Sequence, residues 1–167
     1  MNCIVNVTPD WGIGQDDRLL VSVSEDLKHF KALTVGKTVI CGRKTLATFP
    51  GGKPLKNRTT ILLSADPDFF AEGAEVVHNT QALFARLREL PEKDLCVIGG
   101  ESVYKLLLPY CKRAYVTKTY VSLPADRFFP DLNREENWEL AVQGAMQEEN
   151  GIRFRFCEYR NRNPQDF

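Results

Sequence analysis

The chain has 167 residues, of which 43% are hydrophobic and 26% charged, and these values are typical of one soluble globular domain. Its formal net charge is zero, so bulk electrostatics does not favour nucleic acid or an anionic membrane as a partner. No apolar stretch is long enough to span a bilayer, and the first residues lack the pattern of a signal peptide. The five cysteines show no Cys-x-x-Cys spacing, so we expect a reducing, cytoplasmic location and no metal site.

Six short apolar runs predict strands buried on both faces, because apolar and polar residues do not alternate in them. These runs are residues 3–7, 38–41, 60–63, 75–77, 95–98 and 114–118. Four helical patterns lie between them, starting near Ser22 or Ser24, after Gly42, at Asn79 and after Gly100. The alternation of strands and helices predicts a largely parallel sheet covered on both sides, in the α/β class.

Two of these helices carry start signals. Ser22 and Glu25 fit a capping box, and Asn79 is suited to cap a helix that runs to residue 90. The C-terminal third instead predicts antiparallel strands over residues 138–146 and 152–159, joined by a turn at Asn150-Gly151. We therefore predict a single domain over residues 1–160, followed by a loose polar tail over residues 161–167.

Asp26 is the most informative residue of the first helical pattern. It borders the face marked by Leu27 and Phe30, since residues three and four apart share one side of a helix. A carboxylate beside a buried stripe is costly unless a partner or a proton neutralises it. The alternative is that Asp26 only stabilises the positive end of the helix dipole in water.

Glycine-marked turns follow two of the predicted strands. Arg43 and Lys44 come directly after Gly42, and two cations at a helix start oppose the helix dipole unless an anion is bound. Gly99-Gly100 likewise lets the backbone approach a phosphate closely. The alternative for the turn after Gly42 is a surface turn that happens to be basic, and the alternative for Gly99-Gly100 is a tight strand-to-helix turn. Together, the two turns predict a dinucleotide site, and the cations indicate the extra phosphate of NADPH.

A third glycine pair, Gly12 and Gly14, resembles the start of a Gly-x-Gly-x-x-Gly fingerprint. Position 17 is Asp rather than Gly, so a Rossmann-type dinucleotide fold is not supported. These glycines instead predict a mobile loop between Asp10 and Val23.

Taken together and in chain order, these motifs resemble the dihydrofolate reductase family, of the bacterial chromosomal type. The matching segments span roughly residues 1–160 and are 2–5, 12–14, 25–27 with Phe30, 42–45, 54–58, 97–100 with Tyr104, Thr117 and 126–130. The resemblance implies an eight-stranded, mostly parallel twisted sheet with an antiparallel C-terminal hairpin and four flanking helices. It also implies NADPH-dependent reduction of dihydrofolate to tetrahydrofolate, which supplies one-carbon metabolism. We expect a monomer, since no long exposed apolar stripe is evident.

The resemblance assigns the catalytic role to Asp26, which would contact the pterin amino group and favour protonation of the ring nitrogen beside the hydride-receiving carbon. Arg58 would pair with the glutamate carboxylate of the substrate, the alternative being a surface salt bridge. Thr117 would form a hydrogen bond beside Asp26. The other implied substrate-binding residues, each of which could equally belong to the core, are Ile4, Val5, Asn6, Leu27, Phe30, Phe49, Leu55, Ile98 and Tyr104.

The resemblance places the cofactor at the glycine-marked turns. Arg43, Lys44 and Ser64 would hold the phosphate that distinguishes NADPH from NADH, and Ile13 and Gly14 would flank the nicotinamide. In the family, the paired glycines are joined by a cis peptide bond. The other implied cofactor-binding residues are Gly42, Thr45, Leu63, Gly99, Gly100, Glu101, Ser102, Val103 and Tyr104.

Two positions depart from the family pattern. Many relatives carry Leu-Pro-Trp before the catalytic helix, whereas this chain has Leu19-Leu20-Val21 and lacks the Trp that would hold a water near the acid. Asn6 stands where small apolar residues are usual. Its amide needs a hydrogen-bond partner, either the backbone or the nicotinamide carboxamide.

Two other functions are compatible with this fold. One is an NADPH-dependent reductase of the riboflavin pathway, which is expected to lack both Asp26 and Arg58. The other is a non-catalytic protein that binds NADPH or RNA, which is expected to lose the acid or to block the pterin pocket. The chain has both residues, and it has no exposed stripe of aromatic and basic residues to favour RNA.

Overall fold

A mixed β-sheet forms the centre of the computed structural model, which describes every residue from Met1 to Phe167. The strands are β1 Asn2–Val7, β2 Gly12–Gln15, β3 Arg18–Leu19, β4 Thr38–Gly42, β5 Thr59–Leu63, β6 Ala74–Val77, β7 Leu95–Gly99, β8 Arg113–Thr119, β9 Arg127–Phe128, β10 Trp138–Gln143, β11 Gln147–Glu149 and β12 Ile152–Asn161. The helices are α1 Ser24–Thr34, α2 Arg43–Ala47, α3 Thr80–Arg88 and α4 Glu101–Leu107, with 3₁₀ turns at Pro50–Gly52, Glu92–Asp94 and Leu108–Tyr110. None of the helices is long and apolar enough to cross a membrane.

Eight strands of the central sheet follow the order β10-β12-β8-β1-β7-β4-β5-β6, and the short β11 also pairs with β12. The six strands from β8 to β6 are parallel, whereas β12 runs antiparallel to β8, β10 and β11. The mostly parallel sheet, the four helices and the antiparallel C-terminal hairpin predicted from the sequence are therefore confirmed. The three-residue β11 is the one strand of this sheet that was not predicted from the sequence.

The middle strands are apolar throughout because helices cover both faces of the sheet. In β4, the side chains of Val39, Ile40 and Cys41 are fully buried, although they alternate between the two faces. Ile40 belongs to the larger core on the side of α3 and α4, and Val39 belongs to the smaller core on the side of α1. Burying a side chain such as Ile40 stabilises the fold by roughly 1.5–3 kcal/mol.

The parallel strands all end at one edge of the sheet, and the glycine-marked turns that follow β4 and β7 lie at this edge. Strand β4 runs into α2, β7 runs into α4 and β5 ends at the buried Ser64. Strand β1 lies between β8 and β7, so its C-terminal half faces the same edge. Open α/β sheets bind their ligands outside the carboxyl ends of their strands, and this sheet has a crevice there.

Residues 12–19 form a hairpin within the loop predicted between Asp10 and Val23. Strands β2 and β3 pair with each other and β2 pairs with β9, which gives a separate three-stranded sheet. A Cβ atom on Gly12 would lie 2.6 Å from the Cβ of Ala125. The glycine is therefore needed for close packing against the segment that leads to β9.

The C-terminal region differs from its prediction at two points. Strand β10 ends at Gln143 rather than at residue 146. The next residue, Gly144, still donates from its N–H to the Phe156 carbonyl of β12 at 2.8 Å, and only a glycine fits there because a Cβ atom would lie 2.6 Å from that oxygen. The tail predicted to be loose is held: Asn161 belongs to β12 and donates from Nδ2 to the Cys111 carbonyl at 2.9 Å. Phe167 packs near Tyr110, an aromatic contact that the polar composition of the segment conceals.

The two predicted helix starts had different outcomes. Asn79 caps α3 as expected, since its side chain accepts from the Ala82 N–H at 2.8 Å. The capping box at Ser22 is wrong, because α1 begins at Ser24 and no side chain of its own segment caps it. Glu149 at the end of β11 supplies the cap instead. It accepts from the Ser24 N–H at 2.8 Å, the Ser24 hydroxyl at 2.6 Å and the Glu25 N–H at 3.2 Å.

We predict that Glu149→Ala destabilises α1 at its first turn, because two backbone N–H groups lose their acceptor. The Ser24 hydroxyl and N–H hold the pKa of Glu149 below its usual range. This stabilisation is therefore full above the unfolded pKa of about 4.3 and disappears as the pH falls through the lower folded value. Melting temperatures of the wild type and the variant, measured from pH 7 to pH 3, should differ most at neutral pH and converge in acid.

The matched control is Glu148→Ala. Glu148 lies in the same strand, and its exposed carboxylate forms no ion pair. It should leave the melting temperature close to that of the wild type at every pH. A Glu149→Ala protein as stable as this control at pH 7 would show that the cap does not contribute.

Candidate active site

A cavity of about 980 Å³ opens at the carboxyl edge of the parallel strands, between α1 on one side and α2 and α4 on the other. Its volume is at the upper end of the range for small-molecule sites. All but one of the predicted site residues line it. They are Ile4, Val5, Asn6, Ile13, Gly14, Asp26, Leu27, Phe30, Gly42, Arg43, Lys44, Thr45, Phe49, Leu55, Arg58, Leu63, Ser64, Ile98, Gly99, Gly100, Glu101, Ser102, Val103 and Tyr104. The exception, Thr117, contacts Asp26 from the sheet.

Asp26 lies half-buried on the first turn of α1, where the helix crosses the ends of β1 and β8. Thr117 of β8 donates from its hydroxyl to Oδ1 of Asp26 at 2.6 Å. Asn6 of β1 donates from Nδ2 to Oδ2 at 3.0 Å. Each carboxylate oxygen therefore has one donor from the protein and keeps further acceptor capacity toward the cavity. The alternative of a solvated acid that only interacts with the helix dipole does not describe this geometry.

The partner of Asn6 is not the backbone, which was one of the two expectations drawn from the sequence. Its amide bridges the side chains of Asp26 and Thr119. The Thr119 hydroxyl donates to Oδ1 of Asn6 at 2.7 Å. Thr119 was not singled out from the sequence, although it lies two positions after Thr117 and so projects from the same face of β8.

Apolar side chains form the walls beside Asp26. Leu27 is 54% exposed, and the half-buried Phe30 lines the cavity while also packing against the smaller core. Phe49, after α2, lines the cavity as well, and so do the buried Ile4 of β1 and Ile98 of β7. An apolar slot with one carboxylate at its closed end is suited to a flat, partly polar ring.

Arg58 lies at the mouth of this slot and is held in place on one side. Its Nε donates to the Thr34 hydroxyl at 3.1 Å and its Nη1 donates to the Lys56 carbonyl at 2.8 Å. The guanidinium carbon is 6.0 Å from the centre of the Phe30 ring, and burial lowers the pKa of Arg58. Arg58 forms no ion pair within the chain, so the alternative of a surface salt bridge is not observed. Its remaining N–H groups are available to a carboxylate.

The far end of the cavity carries the basic residues that follow β4. Arg43 lies 4.5 Å from the centre of the Phe69 ring and 3.4 Å from Asp66, and Lys44 pairs with Asp17 of the β2–β3 hairpin at 3.2 Å. All four charged side chains are exposed, and such pairs contribute at most about 1 kcal/mol. Because these ion pairs are weak, both cations are available to a phosphate.

Ser64 completes this basic end. It follows β5 and is buried, and it lines the cavity beside Arg43 and Lys44. The half-buried His78 lies behind it, with Nδ1 3.0 Å from the Ser64 carbonyl, and does not line the cavity. Two cations and a hydroxyl form a donor set that suits a phosphate monoester.

The glycine pair after β7 opens the space between the two ends. The Gly99–Gly100 peptide bond is cis, as the resemblance implied, and Gly99 has a φ of +129°, where a side chain is disfavoured. A Cβ atom on Gly99 or Gly100 would lie 3.2 or 3.3 Å from Oγ1 of Thr45. Without these side chains, the start of α4 and the start of α2 face a common space that a diphosphate would fill.

Two side chains of α4 prepare this space. The buried hydroxyl of Tyr104 donates to the Ile4 carbonyl at 2.6 Å, which fixes α4 against β1. Glu101 accepts from the Phe128 N–H and from Lys105. The Phe128 N–H in particular holds the pKa of Glu101 below its usual range. Glu101 therefore stays ionised, and its negative charge is held by β9 and paired with Lys105 at 3.2 Å.

Several residues of the cavity lie outside the predicted set. Lys31 follows Leu27 by four positions, and this helical spacing could have identified it. The segment from Asp17 to Ser22 carries no periodic signal, and only the structure brings it to the site. The other lining residues of this kind are Thr8, Gly12, Thr48, Pro50, Ala65 and Arg127.

Comparisons with known proteins agree with this geometry. The family model described as dihydrofolate reductase matches residues 1–161. A dihydrofolate reductase of Bacillus subtilis is 36% identical over 153 residues, which are 90% of this chain and 88% of the relative. One from Mycobacterium leprae is 37% identical over 150 residues, which are 88% of this chain and 89% of the relative.

Among solved structures, this fold is similar to dihydrofolate reductase from Enterococcus faecalis complexed with NADP(H) and RAB-propyl. The TM-score is 0.80 at 32% sequence identity, and the match covers 96% of this chain and 95% of the other. The family model, the relatives and the solved structure thus each match nearly the whole length of this chain. The chain belongs to the dihydrofolate reductase family.

Proposed function

We propose that this protein reduces dihydrofolate to tetrahydrofolate with NADPH and that Asp26 is its catalytic residue. The observation that supports this most directly is a half-buried carboxylate at the closed end of an apolar slot, with one donor fixed on each oxygen. The reaction adds a hydride to one carbon of the pterin and a proton to the adjacent ring nitrogen. The function therefore needs an acid group at one end of the cavity and a site for a phosphorylated hydride donor at the other.

Asp26 binds and orients the pterin in this proposal. An amino group and a ring N–H on the same side of a flat heterocycle match the two oxygens of a carboxylate, as guanidinium groups do. The donors Thr117 and Asn6 hold the carboxylate plane, so this match does not have to be formed at the moment of binding. A negative charge on this side of the ring favours protonation of the pterin at the nitrogen that must receive a proton.

Arg58 and the slot determine how the rest of the substrate lies. Leu27, Phe30 and Phe49 enclose an aromatic linker, and Arg58 at the mouth receives a carboxylate through its free N–H groups. The Thr34 hydroxyl fixes the guanidinium plane, which reduces the entropy lost on binding.

NADPH, when bound, supplies the hydride. Arg43, Lys44 and Ser64 would hold its extra phosphate, while Thr45 and Ser102, at the starts of α2 and α4, would hold the diphosphate. Ile13 and Gly14 of β2 would cover the nicotinamide end and exclude water from it. This role extends to Leu20 and Val21, which line the cavity where relatives carry Pro-Trp.

The proposal includes a cytoplasmic monomer that acts on small molecules and has no nucleic-acid or membrane partner. The net charge of zero supports the absence of a polyanionic partner, and the five unpaired, buried cysteines suit a reducing compartment. The alternatives are less well supported. Both Asp26 and Arg58 face the cavity, which disfavours a riboflavin-type substrate, and the open slot disfavours a protein that only binds NADPH.

The direct experiment follows NADPH oxidation by absorbance, with and without dihydrofolate, and repeats it with NADH. We expect oxidation that depends on dihydrofolate and strongly prefers NADPH. A folded protein that binds NADPH and shows no such oxidation would contradict the proposal and favour a binding role.

We predict that Asp26→Asn folds, still binds NADPH and loses about a hundredfold or more of its dihydrofolate reduction at pH 7, since the charge that promotes protonation is gone. The measurement is kcat/KM for dihydrofolate, with NADPH affinity determined by fluorescence. Glu25→Gln is the matched control, because it removes an exposed carboxylate one residue away. Turnover in Asp26→Asn equal to that of the control would remove the acid from the mechanism.

We predict that Arg43→Ala weakens NADPH binding by roughly ten- to a hundredfold, the usual range for a lost hydrogen bond to a charged group. NADH binding should change little, since NADH lacks the phosphate that Arg43 would contact. Titration of both nucleotides into the variant measures this difference, and Arg134→Ala, an exposed change outside the cavity, is the control. Equal weakening of both nucleotides would mean that Arg43 does not recognise the extra phosphate.

A further inference from the structure

Asn6 and Thr119 form a partly buried hydrogen-bonded pair beneath Asp26, and Thr119 has no role in the proposed reaction so far. In β1, Asn6 is flanked by the buried Val5 and Val7, and in β8 the Thr119 side chain is 1% exposed. Asn6 is in register with Thr117, so the side chains of Asn6, Thr117 and Thr119 lie on one face of the sheet, beneath Asp26. Two strands thus present three polar side chains to one carboxylate.

The direction of each hydrogen bond in this group follows from the ionised state of Asp26. A carboxylate only accepts, so Asn6 must turn its NH₂ group toward Oδ2, at 3.0 Å. The Asn6 Oδ1 then faces Thr119, so the Thr119 hydroxyl must donate, at 2.7 Å. Thr119, Asn6 and Asp26 form a chain with a single consistent direction, which ends on the negative charge. A proton on Oδ2 of Asp26 would face the Asn6 NH₂ group and break this order.

Building on the proposed function, we propose that Asn6, oriented by Thr119, is a positioning residue that selects the ionised form of Asp26 and fixes its plane for the pterin. Thr117 alone would hold one oxygen and let the carboxyl group rotate about its Cβ–Cγ bond. The second donor, on the other oxygen, prevents this rotation.

Other titratable and charged groups also act on Asp26, and the test must separate them from Asn6. On α1, His29 stacks on Phe156 with ring centres 4.1 Å apart; burial lowers its pKa, and the negative charge of Asp26 partly offsets this. On α4, burial raises the pKa of the Tyr104 hydroxyl, and the charge of Asp26 raises it further. The other charged side chains that line the cavity are Asp17, Arg18, Lys31, Arg43, Lys44, Arg58, Glu101 and Arg127. None of these groups changes when Asn6 or Thr119 is replaced.

The test measures ionisation of Asp26 directly by NMR of the side-chain carboxyl carbon, with ¹³C-labelled aspartate and assignment from Asp26→Asn. We expect Asn6→Ala to move the titration midpoint of this carboxyl upward by about half to one pH unit, because the carboxylate loses a donor. Thr119→Val should move it in the same direction by less, and Thr119→Ser, which keeps the hydroxyl, should restore the wild-type midpoint.

Kinetics on the same variants test the effect on the reaction. Asn6→Ala should lower kcat/KM for dihydrofolate by about three- to tenfold at pH 7, and the pH profile of the rate should shift with the NMR midpoint. An unchanged NMR midpoint in a folded Asn6→Ala protein would overturn the inference. So would a midpoint that shifts equally in Thr119→Val and Thr119→Ser. The NMR readout does not need turnover, so it distinguishes failure of this inference from failure of the proposed reaction.

Discussion

The site depends on one constraint: a carboxylate placed out of bulk water needs donors for both of its oxygens. Removing a charge from water without such partners would cost several kcal/mol, and the chain meets this requirement with two neighbouring parallel strands. Because β1 and β8 are adjacent and in register, their side chains reach both oxygens of Asp26 from one face of the sheet. Helix α1 must then cross the ends of these strands, and this crossing opens the apolar slot between α1 and α2.

The cavity separates charge along its length, although the whole chain is neutral. Asp26 lies at one end with Arg58 on the same slot, and the cations that follow β4 lie at the other end, so ligands whose charges match these three points are favoured in one orientation. The glycines between the two ends provide space and carry no charge of their own. The specificity for a ligand therefore depends on the positions of the charged groups in the cavity, which the net charge of the chain does not reveal.

Much of this arrangement was accessible from the sequence because its signals are local. Uninterrupted apolar runs marked the parallel strands, and the residues after Gly42 and Gly99 marked the edge where ligands bind. The features that sequence reasoning missed are contacts between distant segments. No residue near Ser24 in the sequence indicates that Glu149 caps its helix. The sequence shows that the Asn6 amide needs a hydrogen-bond partner, but it does not show that this partner is Asp26. Hydrogen bonds that cross from one element to another leave no periodic trace, so only the assembled sheet reveals them.

The sheet order has a consequence for how the protein is made. Strand β1, the first to be synthesised, lies in the middle of the sheet, and its neighbours β7 and β8 follow only after residue 95. Helix α1 gains its cap from Glu149 still later. Such contacts between distant parts of a chain form slowly, because the intervening segment must first be brought together. On the ribosome, the helix that carries Asp26 therefore stays incomplete until almost the whole polypeptide has emerged, and premature termination inside the last hairpin would leave that helix frayed at the turn beside its acid.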